Sequence, residues 1–224
     1  MITLNEAHQT GPQLHRVAVD PGSKWEKDTD WVIDAAPDDD LRPDPEAIWS
    51  ASAQRTGICG AVSPRVIGLV GGGYRLYYTQ LLPRPGFPEG AVDYDQSSSR
   101  ILSANSPDGE AWTLDPGVRL SSEDGGAGEF RVVSSEVVPI PNTPGHLRMY
   151  YECCRGPQSE ASTILSARSE DGGLQWSREP GVRWGDGETN YAAPRIQFVN
   201  ESLLRLYCYE REGGIVSAIS YDGG

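Results

Sequence analysis

A chain of 224 residues with 26 glycines, 17 prolines and a formal charge of −13 is long enough for one ordinary domain or a short pair of them. So many turn formers argue against a helical bundle, the acidic balance against a nucleic-acid-binding surface, and the lack of any run near ~18 apolar residues against a membrane span. The stretch Met1–Arg16 has neither a basic start nor an apolar run, so no secretory signal is visible and a cytoplasmic setting is expected.

In chain order, residues 1–60 read as an acidic N-terminal segment, at most a partial blade of the repeat described next. Its first fifty residues hold eleven acids against four bases. Asp38-Asp39-Asp40 and the prolines after it form a solvated loop on this reading. Trp25, Trp31 and Trp49 are candidate core residues there. From Ser63 onward the chain repeats itself. Ser63-Pro-Arg-Val-Ile-Gly-Leu-Val, a glycine turn and Tyr74-Arg75-Leu76-Tyr77-Tyr78-Thr79 form the first copy. Ser135–Ile140 with Leu147-Arg148-Met149-Tyr150-Tyr151-Glu152 is the second, and Ala193–Val199 with Leu204-Arg205-Leu206-Tyr207-Cys208-Tyr209 the third. Each continues alike: Ile101-Leu-Ser-Ala-Asn-Ser106-Pro-Asp108-Gly before Trp112, Ile164-Leu-Ser-Ala-Arg-Ser169-Glu-Asp171-Gly-Gly before Trp176, and Ile215-Val-Ser-Ala-Ile-Ser220-Tyr-Asp222-Gly-Gly. The apolar runs are short, rich in Val, Ile and Tyr, and bounded by Gly, Pro, Asn and Asp, so each copy reads as four strands. Fourth strands are expected at Trp112-Thr-Leu and Trp176-Ser-Arg, running on to a matching Pro-Gly-Val-Arg at 116–119 and 180–183. Four antiparallel strands repeated every ~50–70 residues define an all-β propeller, with residues 61–224 making about three blades.

The string Ser-x-Asp-Gly-Gly-x-x-Trp at 169–176 resembles the Asp box of sialidase-type, BNR-repeat glycosidase propellers, and the copies at 106–112 and 220–224 match it in part. The likeness covers residues ~60–224 and implies a ring of five or six blades in a complete protein. It implies an exo-acting glycoside hydrolase that takes a terminal sugar from a glycan. Three blades do not close such a ring, so the sequence is expected to be a piece of a longer chain of ~300–400 residues, a ring closed by two copies being the alternative. The Asp-box Ser and Asp have a structural use: their oxygens bind turn amides, and Trp supplies a packing plate. The Arg-x-Tyr pairs at 75/77, 148/150 and 205/207 are read as second-strand packing positions.

Aligning the copies places Arg65, Glu136 and Arg195 at one position, opening the first and innermost strand of each blade. Three charges where apolar residues would serve a core are costly unless they meet water or each other. Two arginines can clamp a carboxylate, and a glutamate beside them can serve as acid/base. The sialidase likeness implies the same: arginines hold the substrate carboxylate and a Glu assists a Tyr nucleophile, for which Tyr191 is the candidate. Asp186 and Glu188, in the loop entering the third blade, are further acid/base candidates, and Asp20 and Asp34 weaker ones. An arabinanase or fructosidase type would draw attention to Asp20. Two bland readings stand beside these: an Arg–Glu–Arg salt-bridge set, and a propeller that binds carbohydrate or protein without catalysis. Four cysteines without a CxxC pair (Cys59, Cys153, Cys154, Cys208) and three histidines argue against a zinc cluster, so no metal or cofactor is expected and the thiols are read as buried and reduced.

Overall fold

The computed structural model describes residues 27, 28, 30, 32, 33, 61–83, 97–122, 131–154, 161–200 and 202–222. The rest of the expected N-terminal segment, with Asp20, Asp34, its three tryptophans and Cys59, lies outside the described residues. The chain divides into two compact units, 1–31 and 32–224, and every described strand belongs to the second.

Among the described residues, three antiparallel sheets follow one another. The first holds β1 (Ala61–Gly68), β2 (Tyr74–Pro83), β3 (Ser97–Ser106), β4 (Thr113–Leu114) and β5 (Leu120–Ser121). The second holds β6 (Arg131–Pro139), β7 (Leu147–Cys154), β8 (Ser162–Ser169) and β9 (Ser177–Arg178), and the third β10 (Tyr191–Phe198), β11 (Leu204–Glu210) and β12 (Gly214–Ser220). Each is an up-and-down meander in sequence order, and no helix occurs among the described residues. The first strand of each sheet is innermost, β6 lying against both β1 and β10, while β6 also covers β2 and β3 and β10 covers β7 and β8. These are blades of a β-propeller.

The burial pattern follows from that stacking. β6 and β7 are buried along almost their whole length because the middle blade is covered on both faces, whereas β12 alternates half-buried and exposed residues. Tyr77 and Ile101 of the first blade meet Val137, Leu147, Met149 and Ala167 of the second. Tyr150 and Ile164 of the second meet Tyr191 and Cys208 of the third. Cys153, Cys154 and Cys208 are buried.

The outer strands depart from the sequence reading. They begin one residue after Trp112 and Trp176, and Pro-Gly-Val-Arg breaks the edge into two pieces: β4 pairs with Ala104–Asn105, and β5 returns to pair with Arg100–Ile101. In the second blade the returning piece is a single bridge, Ile164 to Trp184. A proline lacks the amide a continuous strand needs.

Arg65, Glu136 and Arg195 also do not open their strands. Each follows a bulge, the register slipping between Val62 and Arg65, Val133 and Glu136, and Ala192 and Arg195. Within each bulge one non-glycine residue is left-handed: Ser63 at φ 54°, Ser134 at 54° and Ala193 at 51°. The bulge of each later blade is braced by a side chain from the blade before: Thr79 accepts from the Ser134 amide at 3.3 Å, and Glu152 accepts from the Ala193 amide. Ser63 and Ser134 hydroxyls lie 3.3 Å apart. Ala193 is exposed, so Ala193→Gly should stabilise the fold by about 0.5–1 kcal/mol, the left-handed penalty removed less the entropy glycine loses. Chemical denaturation checks this, and a loss of stability would show that the bulge carries no strain.

Candidate functional site

A bulge bends its strand and re-aims the side chain that follows it. Repeated in three neighbouring inner strands, it delivers Arg65, Glu136 and Arg195 to one place. Arg65 Nη2 lies 3.0 Å from Glu136 Oε1, and Arg195 Nη1 lies 3.9 Å from Oε2. The first is an ion-paired hydrogen bond; the second is too long to be one. The Ile196 amide approaches Oε1 at 3.5 Å, and Arg195 Nη1 donates instead to the Pro194 carbonyl at 2.7 Å. Among the described residues no donor lies within hydrogen-bond distance of Oε2. The Glu136 side chain is 2% exposed, against 37% and 55% for the two arginines. Burial therefore pushes the Glu136 carboxyl above the usual range, outweighing Arg65, the Ile196 amide and Arg195. Water around the half-exposed guanidiniums screens them, while the carboxylate bears its full desolvation cost.

That shift fixes the sign of a pH effect. A raised carboxyl holds its proton more tightly in the folded state, so its contribution to stability is complete below the unfolded value and is lost as pH rises through the folded one. Glu136→Gln should melt like the parent near about pH 4 and above it near about pH 7. A variant that melts lower near pH 7 would mean the ion pairs outweigh burial.

The other sequence candidates stand apart from this cluster; no hydrogen bond or ion pair joins them to it. Asp186 is exposed and closes its own turn, Oδ1 accepting from the Glu188 and Thr189 amides at 2.9 and 2.7 Å and Oδ2 from the Thr189 hydroxyl at 2.8 Å. Those bonds hold its carboxyl down at about 2, ionised at neutral pH and without a proton to give. Glu188 is exposed on the same turn. Tyr191 is a core residue, its ring edge-on to Trp184 at 5.9 Å within the cluster between the second and third blades. Among the described residues no group of three His, Cys, Asp or Glu side chains can hold a metal ion.

Three buried or half-buried acids escaped the sequence reading. Asp115 and Glu179 receive the arginines taken for packing residues. Arg75 Nε lies 3.0 Å from Asp115 Oδ2 and Arg148 Nε 2.8 Å from Glu179 Oε2. Ser103 and Ser166 donate to the same carboxylates at 2.6 and 2.7 Å. The matched strings Trp112-Thr-Leu-Asp-Pro-Gly-Val-Arg and Trp176-Ser-Arg-Glu-Pro-Gly-Val-Arg carried the signal. The third is Glu152, raised by burial against the pull of Arg131, the Ala193 amide and Arg211.

The turns between third and fourth strands bind their own amides. Asp108 Oδ1 accepts from Glu110 and Ala111 at 2.9 and 3.0 Å, and Asp171 Oδ1 from Leu174 and Gln175, both at 3.0 Å. The Trp112 and Trp176 indoles donate to the Gly109 and Gly173 carbonyls at 3.1 and 2.9 Å.

No protein-family model matches this chain, and no curated protein matches it. Solved structures do. It is similar to Zg3597, a family 117 glycoside hydrolase from the marine bacterium Zobellia galactanivorans, with a TM-score of 0.58 at 19% identity over 73% of this chain and 53% of that one. An endo-arabinase from Bacteroides thetaiotaomicron aligns with a TM-score of 0.52 at 12% identity over 72% and 56%. A putative glycosidase from Bacteroides thetaiotaomicron gives 0.52 at 16% over 81% and 54%. The chain thus shares the propeller fold of these glycosidases and spans a little over half of each of their chains.

Proposed function

We propose that this chain forms part of a glycoside hydrolase, with the Arg65–Glu136–Arg195 cluster as its reacting centre. The observation that carries the reading is the state of Glu136: a buried carboxyl with a raised proton affinity and one oxygen without a donor among the described residues, flanked by two half-exposed guanidiniums. A carboxyl tuned upward suits proton donation to a glycosidic oxygen at near-neutral pH. The fold shared with a family 117 hydrolase and an endo-arabinase supports the class. The finer reading, a sialidase-like enzyme with Asp boxes in its turns, rests on the arginines. Arg65 and Arg195 would grip the carboxylate of an acidic terminal sugar while Glu136 protonates the leaving oxygen or assists a nucleophile. The turn contacts of Asp108 and Asp171 fit the Asp-box role of holding hairpins. The burial of Tyr191 lends no support to it as the nucleophile.

A second reading has its own observation. At 2% exposure Glu136 reaches substrate only if an arginine moves, which favours a structural ion set in a non-catalytic, carbohydrate-binding propeller. Assay of fluorogenic glycosides, including a sialoside, a uronide and an arabinofuranoside, separates the two. Turnover lost by about 100-fold or more in Glu136→Gln supports the hydrolase; turnover unchanged in that variant moves the chemistry elsewhere. Binding without turnover favours the module. A preference for the neutral pentoside overturns the arginine clamp.

A further inference from the structure

The bulges behind Glu136 and Arg195 are alike in backbone and unlike in what holds them. Ser134 and Ala193 each stand at a φ that a residue with a side chain keeps only where its surroundings impose it. For Ser134 the contact comes from the first blade. Thr79 pairs with Val62, two positions beyond the Tyr77–Arg65 pair, and its hydroxyl accepts the Ser134 amide at 3.3 Å. For Ala193 it comes from the matching place in the second blade. Glu152 pairs with Val133, two positions beyond the Tyr150–Glu136 pair, and its carboxylate accepts the Ala193 amide. A hydroxyl in one joint and a carboxylate in the next perform the same task.

In the second joint that task bears on Glu136. The β10 register slips between Ala192 and Arg195, so the bulge sets where the Arg195 side chain leaves the strand. The head of that side chain is tied to the bulge as well, Nη1 donating to the Pro194 carbonyl at 2.7 Å. Glu136 takes two contacts from this stretch, Arg195 Nη1 at 3.9 Å from Oε2 and the Ile196 amide at 3.5 Å from Oε1. Both draw its carboxyl down against burial. Glu136 and Glu152 therefore hold β10 on either side of its bulge, both from the β6–β7 hairpin. Arg131, at the start of β6, and Arg211, after β11, favour the charged form of Glu152 against its burial.

We infer that Glu152 is a positioning residue for the reacting centre: by accepting the Ala193 amide it fixes the β10 bulge, and through the bulge the places of Arg195 and the Ile196 amide beside Glu136. The role of Glu136 as the reacting group rests on the function proposed above; the brace stands or falls on the geometry of β10.

The test compares Glu152→Thr with Glu152→Val in the whole chain. The two side chains share a shape, both suit a strand, and both remove the charge. They differ in the hydroxyl, the acceptor that Thr79 supplies one joint earlier. Glu152→Gln against Glu152→Met repeats the comparison, acceptor against none, at the length of the native side chain. Hydrogen exchange at the Ala193 amide should be at least ~10-fold faster without the acceptor than with it. In a carbon NMR titration of the Glu136 carboxyl, the variants without the acceptor should have midpoints at least ~0.3 pH unit higher, because Arg195 and the Ile196 amide no longer draw it down. Loss of the Glu152 charge by itself moves both members of a pair together and downward, so the difference within a pair reports position. With the sialoside as substrate, the loss from threonine to valine should fall on KM, about 5-fold or more, with kcat within about 2-fold. Equal exchange at Ala193 within both pairs overturns the inference, since the strand would then hold its own bulge. Equal Glu136 midpoints within both pairs overturn it too, since the bulge would then not place Arg195. Absence of turnover in the parent and every variant sinks the hydrolase reading instead, and the two NMR readouts still decide this one.

Discussion

Asp115→Ala should cost about 3–5 kcal/mol and lower the melting midpoint by roughly 6–20 °C, the largest loss expected from any single carboxylate among the described residues. Asp115 is 4% exposed and accepts from three side chains: Arg75 at 3.0 Å, the Ser103 hydroxyl at 2.6 Å and Asn105 at 2.8 Å. Arg75 is itself buried, and its other end donates to the Gly172 carbonyl of the second blade. Removing the carboxylate therefore strands a buried guanidinium at the joint between two blades, which is costlier than the pair's own net worth. Asp108→Ala is the control. That side chain is exposed and binds only within its own turn, two amides and the Ser106 hydroxyl, so about 1 kcal/mol is expected. Blade by blade the effect should fall. Arg148 and Glu179 repeat the pair with both side chains near 16–17% exposed. Arg205 is left with the Ser217 hydroxyl at 3.4 Å on an exposed face. Arg205→Ala should accordingly change stability by less than about 0.5 kcal/mol. Thermal melts of the series decide it. A cost for Asp115→Ala no greater than for Asp108→Ala would mean the buried pair does not anchor the blades.

This gradient also explains what could be read from the sequence. The repeats were legible because hairpin turns are local: Ser169, Asp171 and the amides they bind lie within six residues of one another. The alignment that exposed the repeats also set Arg65, Glu136 and Arg195 side by side, and their inner strands do meet. The bulges behind them were not legible. Ser63, Ser134 and Ala193 are left-handed without being glycine, and no residue type announces that conformation when tertiary packing imposes it. The partners of the Arg-x-Tyr pairs were hidden by distance, Arg75 and Asp115 being 40 positions apart and Arg148 and Glu179 31. They were hidden also by the exchange of Asp for Glu between copies. Pairing across a sheet fixes such contacts, and pairing is known only once the edge is seen to break at Pro116 and Pro180. Asp186 and Glu188 drew attention as acids near a blade entry, yet a loop of Gly-Asp-Gly-Glu-Thr has its own use for the first carboxylate, which caps the two amides that follow.

Gly173→Ala should be the most damaging change at a described glycine, costing roughly 3 kcal/mol or more, while Gly172→Ala beside it costs about 1 kcal/mol. Both residues have a positive φ, +77° for Gly172 and +96° for Gly173, so each substitution carries backbone strain. They differ in what a methyl group meets. At Gly172 nothing lies within 4 Å; at Gly173 the new carbon would sit 1.9 Å from the Tyr77 hydroxyl and 2.9 Å from Leu147 Cδ1. Tyr77 cannot swing aside, because it is fully buried, bonded to the Gly173 carbonyl and packed edge-on by Trp176. The methyl must therefore push the second turn off the first blade, taking with it the Arg75 and Arg119 bonds to the Gly172 and Leu174 carbonyls. Tyr77→Phe combined with Gly173→Ala should recover part of the loss by clearing the 1.9 Å contact while leaving the strain at +96°. Equal melting of the Gly172 and Gly173 variants would show that the two blades are not locked at this turn.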